Sequence, residues 1–345
     1  MQQLDAQTLD ELQAIYADAA DQVRAAIRAQ VDASDTVPVS NLRRLLAQIG
    51  DVIDALGQER DALLMQGLEQ AAVLGTQPFT MAGVGATGIA GQAVLTSDAA
   101  MVINQAAVRF VQSFTAADGL KLSDRLWRLD QGAKEVLSRS IGQAVVSGWD
   151  ATRAAREFMF NAQAIAQDVS TRLYAAKADS LTRAADLLIG DRSELWKADR
   201  VFRTEINRAH GTAYMESAAK TPGFAGFKFL LSPLHPKPDI CDLLAAQNLY
   251  GLGPGVYPTA KETPWPAHPN TLSFVNMVFA ENVTEADQAG KETVTDAMGR
   301  MPADVREGIL GVGKSELNDA GQLKAWQFRS PLAAVKQRLA RQGQE

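Results

Sequence analysis

Apolar residues recur at three- and four-residue spacing through most of the first 222 positions, which predicts helix after helix. Leu42, Leu45, Leu46, Ile49, Val52, Ile53 and Leu56 make one stripe, with Pro38 and Ser40 fitting the start of its helix. On a heptad the same stretch reads Leu42, Leu46, Ile49, Ile53, Leu56 and Leu63, but Arg60 breaks the seam, so a bundle helix is expected rather than a coiled coil. A second stripe follows Ser123 through Leu126, Leu129, Ala133, Val136, Leu137, Ile141 and Ala144. Gly148-Trp149-Asp150 and Gly190-Asp191-Arg192-Ser193 read as stops followed by new helix starts. Leu195, Phe202, Ile206, Ala209 and Ala213 then mark a helix ending near Thr221-Pro222-Gly223.

The period changes after residue 222. Residues 224–231 (FAGFKFLL) and 272–279 (LSFVNMVF) are short aromatic and aliphatic runs that predict strands. Between them lies a long loop holding 8 of the 13 prolines. Fixed proline φ angles and the apolar Leu243, Leu244, Tyr257 and Trp265 predict that this loop is ordered. Helical patterns return from Glu281 and finish in a basic amphipathic tail. The expected fold is mainly α: a multi-helix N-terminal part, a small α+β module near the C-terminus and a helical tail. The divisions read from the pattern are an N-terminal helical segment at 1–75, a Gly-rich linker at 76–97, a helical domain at 98–222, the α+β module with its Pro-rich loop at 223–280, and the tail at 281–345.

Composition narrows the function classes. A chain of 345 residues that is 46% hydrophobic and 21% charged has the balance of a globular protein. One cysteine, Cys241, makes no intrachain disulfide. No run reaches the ~20 apolar residues of a membrane span, and the acidic opening residues do not resemble a secretion signal, so a soluble intracellular product, or one exported by a route other than a signal peptide, is expected. The net charge of −6 argues against a dedicated DNA-coating protein. Residues 97–230 carry 18 Lys+Arg against 15 Asp+Glu, which allows at most weak, non-specific DNA contact.

Two phosphate-loop patterns lack the context their chemistry needs. Gly308 to Ser315 matches the Walker A spacing, but the preceding residues 302–307 predict a helix where a buried strand is required. Gly83-Val-Gly85-Ala-Thr-Gly88 fits a dinucleotide fingerprint without a βαβ unit around it. More informative is the clustering of His210, His235, Cys241 and His268 within 59 residues. His235, Cys241 and His268, with Asp239 or Asp242 as a fourth, are zinc-type ligands, and Asp239, His268 and Asn270 are residue types of a metal-dependent nuclease. Leu244 stands where a second cysteine of a CxxC pair would be. The sequence therefore predicts no metal and no cofactor, with the histidines bonded to loop backbone. Upstream, Arg203-Thr204-Glu205-Ile206-Asn207-Arg208 is a polar patch suited to holding the loop.

Taken together, Arg203-Thr204-Glu205 with Asn207, then a strand, then His235-Pro-Lys-Pro-Asp239-Ile-Cys241-Asp242, then Trp265-Pro-Ala-His268-Pro269-Asn270, resemble the phage Mu F-like head morphogenesis family. Leu122 to Trp127 and Gly148-Trp149-Asp150 are similar to its helical part, and the likeness runs from about residue 120 to 280. The family commonly carries further cysteines where Thr271, Ser273 and Leu244 stand here. The resemblance implies a minor head protein of a tailed phage, without catalysis, in the head interior or at the portal vertex, and in the host cytoplasm during assembly. Its implied partners are the portal protein and the major capsid or scaffold protein, in head assembly and DNA packaging or ejection. Its implied structural loop anchors are Arg203, Glu205, His235, Asp239, Cys241, His268 and Asn270. The rival readings are a metal-dependent nuclease or transferase with its site at 235–270, and a DNA-binding head protein.

Overall fold

The computed structural model describes residues 1–31, 36–37, 39–80, 95–116, 118–148, 171–173, 176–177, 181–235, 237–268, 271, 273–328 and 330–342. Pro38, the Gly83–Gly88 match, Trp149-Asp150, Asn270 and Leu272 lie outside these residues. The fold is mainly helical, with one three-stranded antiparallel sheet in the C-terminal half. Two compact units interleave along the sequence: the first comprises residues 1–71 and 108–206, the second residues 72–107 and 207–345.

The first unit is built on α1 (Gln2–Arg28), most of α2 (Val39–Thr76), the end of α3 (Ser97–Ser113), α4 (Leu122–Val145) and the start of α5 (Glu194–Ala218). Leu12, Tyr16, Val23 and Ile27 of α1 are buried, as are Leu45, Ile49, Ile53, Leu56 and Leu64 of α2 and Leu129, Leu137 and Ile141 of α4. The predicted apolar stripes are thus the core-facing sides of their helices, each full leucine burial contributing about 1.5–3 kcal/mol. Arg60, which interrupts the heptad, is only 1% exposed. Its guanidinium donates to Asp130 of α4 at 2.8 Å and to Asp61 at 2.6 Å, so the break in the seam is a buried ion pair between two helices. Lys134 and Asp54 bridge the same helices at the surface. Two short antiparallel pairings, Thr36–Val37 with Ala176–Lys177 and Val146–Gly148 with Thr171–Leu173, add strand content that the helical periodicity did not predict.

In the second unit, α5 leads through a turn into β1 (Phe224–Leu230), the central strand of the sheet. On its two sides lie β2 (Val256–Tyr257) and β3 (Phe274–Phe279), both antiparallel to it. Phe227 faces Tyr257 and Met277 in register, and Phe229 faces Val275. Phe227 and Phe229 are fully buried, as the two-residue alternation requires. Gly226 is needed where the strands close up, because a Cβ there would stand 2.6 Å from the Tyr257 carbonyl oxygen.

The described residues of the Pro-rich loop are ordered, as expected, and carry regular structure of their own: α6 (Ile240–Ala246) and β2 both fall among them. Helix α6 starts from a capping box, in which Asp239 accepts from the Cys241 N–H and Asp242 accepts from the Asp239 N–H. Beyond it α7 (Val294–Gly299), α8 (Ala303–Leu310), α9 (Val312–Asp319) and α10 (Leu332–Gln342) gather around α6. Leu243 shares one apolar cluster with Ala297, Met298, Met301, Leu310, Leu323, Phe328 and Val335. The amphipathic tail is therefore a core element whose apolar side is spent inside the unit.

Candidate functional site

The capping box that starts α6 also assembles the chemistry. Asp239 sits at the N-cap in extended conformation, and its Oδ1 takes the Cys241 N–H at 2.7 Å. Asp242, one turn along, receives the Asp239 N–H at 2.8 Å and His235 Nε2 at 2.9 Å. A short helix start thus fixes two carboxylates and a histidine through its own unsatisfied N–H groups.

From the far end of the loop His268 returns to the same point. Its Nε2 lies 3.2 Å from Cys241 Sγ and 3.2 Å from Asp239 Oδ2. Cys241 is fully buried, whereas the side chains of Asp239 and His268 are each 35% exposed. Thr271, buried behind them, places its Oγ1 3.6 Å from the same sulfur. Two groups of donor atoms result, Asp239–Cys241–His268 and His235–Asp239–Asp242, each lying within 4.8 Å, and Asp239 belongs to both.

Of the predicted site residues, His235, Asp239, Cys241 and His268 come together. Arg203 pairs instead with Asp199, one turn back on α5, at 2.6 Å, and Glu205 is buried on the same helix. Asn207, from the same polar patch, donates its side chain to the loop, at 3.5 Å to the Thr271 carbonyl oxygen. Asn270 lies outside the described residues. His210 stands apart: it is on α5, its ring stacked on Tyr214 at 6.3 Å, and burial pushes its pKa down to about 4.

Trp265 and Tyr257, expected from the sequence to help order the loop, do hold it, and Asn248, which sequence reasoning missed, joins them. Trp265 packs its indole against α5, where a Cβ on Gly211 would lie 2.0 Å from Nε1. Asn248 donates to the Asp287 carbonyl oxygen at 2.7 Å and accepts from the Gly253 N–H, tying residues 247–253 to the segment before α7. Tyr257 donates its hydroxyl proton to the Leu244 carbonyl oxygen at 2.9 Å while accepting from Gln247, and burial raises its pKa to about 12. The aspartate pair of the capping box was legible as D-x-x-D ahead of an apolar run, a pattern obscured by reading the same residues as ligands.

The Walker-like stretch is helical on both sides of Gly311, whose φ of 76° turns α8 into α9. Lys314 donates to the carbonyl oxygens of Phe328 and Ser330, at 2.6 and 3.2 Å, and so clasps the approach to α10. No strand feeds this turn, and the phosphate-cradle reading fails on that ground.

No family model, curated protein or solved structure matches the chain.

Proposed function

We propose that this chain is a non-catalytic minor head protein of a tailed phage, acting in head assembly and in DNA packaging or ejection. The observation that carries the reading is the meeting of its motif residues. His235, Asp239, Cys241 and His268 are separated by up to 33 positions, yet their polar atoms engage one another and the α6 backbone. Such a knot serves to fix a loop between two strands. Cys241, at the centre of the knot, is fully buried. No helix among the described residues is long and apolar enough to cross a membrane.

A head protein of this kind needs a partner surface. The Leu45–Leu64 stripe is buried and the apolar side of α10 lies in its own unit's core, so neither serves. What α10 and the turn before it leave outward is basic and aromatic: Arg338 lies over the exposed Trp326 ring at 4.7 Å, with Lys324 and Arg341 lining the same cleft. That cleft is the proposed portal or capsid contact. Mass spectrometry of purified particles should find the protein at low copy, and it should co-purify with portal. Reversing both charges (Arg338→Glu with Arg341→Glu) should weaken that association without unfolding the protein. Absence from purified particles would overturn the reading.

A further inference from the structure

We infer that Asp239, Cys241 and His268 form a binding site for a single zinc-type divalent cation. Such a site is independent of the phage-head reading. His268 Nε2 is 3.2 Å from a sulfur and 3.2 Å from a carboxylate oxygen at the same time. Hydrogen bonding leaves more than one placement of the proton open to this trio. If Nε2 carries the proton, it has one N–H to divide between Cys241 Sγ and Asp239 Oδ2. If it does not, its lone pair faces a carboxylate oxygen at contact distance.

A cation placed among the three suits each placement, because every one of them can present a lone pair to it. The separations also suit such an ion. Tetrahedral zinc, with bonds of about 2.0–2.3 Å, sets neighbouring sulfur and nitrogen ligands about 3.6 Å apart and nitrogen and oxygen about 3.3 Å apart. The observed 3.2 Å contacts need only a few tenths of an ångström of expansion. The backbone already orients the ligands: Asp239 Oδ1 is held by the Cys241 N–H, which turns Oδ2 toward His268. Thr271 Oγ1, 3.6 Å from the sulfur, supplies the outer hydrogen bond that metal-bound thiolates commonly receive. Asp239 and His268 are exposed enough for an ion to enter, and water completes the fourth corner on that side.

The expectation of no metal rested on the missing CxxC partner. Asp239, already a candidate ligand in the sequence, takes the place of the absent cysteine, and the capping box is what orients it. Binding of a soft-to-borderline ion exchanges the Cys241 thiol proton for a metal–sulfur bond, with the proton released to solvent and no change of oxidation state.

The test uses the full chain, reduced and metal-free, titrated with Co²⁺ and followed by absorbance. One equivalent should bind with a thiolate-to-cobalt charge-transfer band and tetrahedral d–d bands, and Zn²⁺ should displace it. Cys241→Ser should abolish the charge-transfer band. Asp239→Asn keeps a competent helix cap, so it should fold normally by circular dichroism yet bind at least tenfold more weakly. Thr271→Cys, in the presence of a phosphine reductant, should tighten binding at least tenfold and deepen the band. Absence of a charge-transfer band in the folded wild-type chain would sink the assignment, as would cobalt binding that Cys241→Ser and Asp239→Asn leave unchanged.

Discussion

Gly211 and His210 are neighbours on α5 with opposite vulnerabilities. The Trp265 indole occupies the space where a side chain on residue 211 would project, with Nε1 only 2.0 Å from that position. Gly211→Ala should therefore expel the ring or bend the helix, at about 1–3 kcal/mol, seen as a lower denaturation midpoint and a shift in tryptophan emission. His210 responds to pH instead. Its folded pKa of about 4 lies below the ordinary value of 6.5, so the unfolded chain takes up this proton first on acidification. Its contribution is fully present above pH 6.5, falls by about 2 kcal/mol between pH 7 and pH 5, and levels off below pH 4. Denaturation curves at pH 7 and pH 5 measure the drop, and His210→Phe should flatten it. Neither role was legible in the sequence. Close numbering makes the three histidines look like one cluster, but His210 lies on the helix while His235 and His268 meet over α6. Sequence proximity carries no direction, and the side chain's direction is what separates them.

Elements were far more legible, because helix and strand periods are local. The start of α3 at Ser97, the start of β1 at Phe224 and the end of β3 at Phe279 fall where the patterns put them. Helix α6 was passed over because seven residues are too few for a periodic stripe, and its marker is a cap instead of a period. Arg60 taught the same lesson in reverse. A charge inside an apolar stripe reads as an interruption until its partner on another helix is known, and Asp130 is 70 residues away. Asp130→Ala should cost about 3 kcal/mol, since it strips one partner from a guanidinium that has almost no access to water. The double variant Arg60→Met with Asp130→Ala should recover part of that loss, because the charge and its desolvation leave together. Urea denaturation of the two singles and the double measures the coupling.

At the scale of the molecule, the arrangement of units was the least legible feature, because both are assembled from segments far apart in the chain. Fold class survived this ignorance, since it depends on the sum of local elements. The role of the tail did not: read alone, α10 is an amphipathic helix looking for a partner, and its partner turns out to be its own unit. Deleting residues 331–345 removes Val335 and Leu339 from the cluster around Leu243, at about 2–4 kcal/mol. Limited proteolysis should then cut within residues 232–273, where the intact chain resists. The same packing has a temporal side. Val335 follows Leu243 by 92 positions, so at roughly 5–20 residues per second a nascent chain waits on the order of 5–20 s between making α6 and making the helix that covers it. Throughout that interval the growing polypeptide displays an uncovered greasy surface beside the ribosome, and holdase chaperones have their opportunity there.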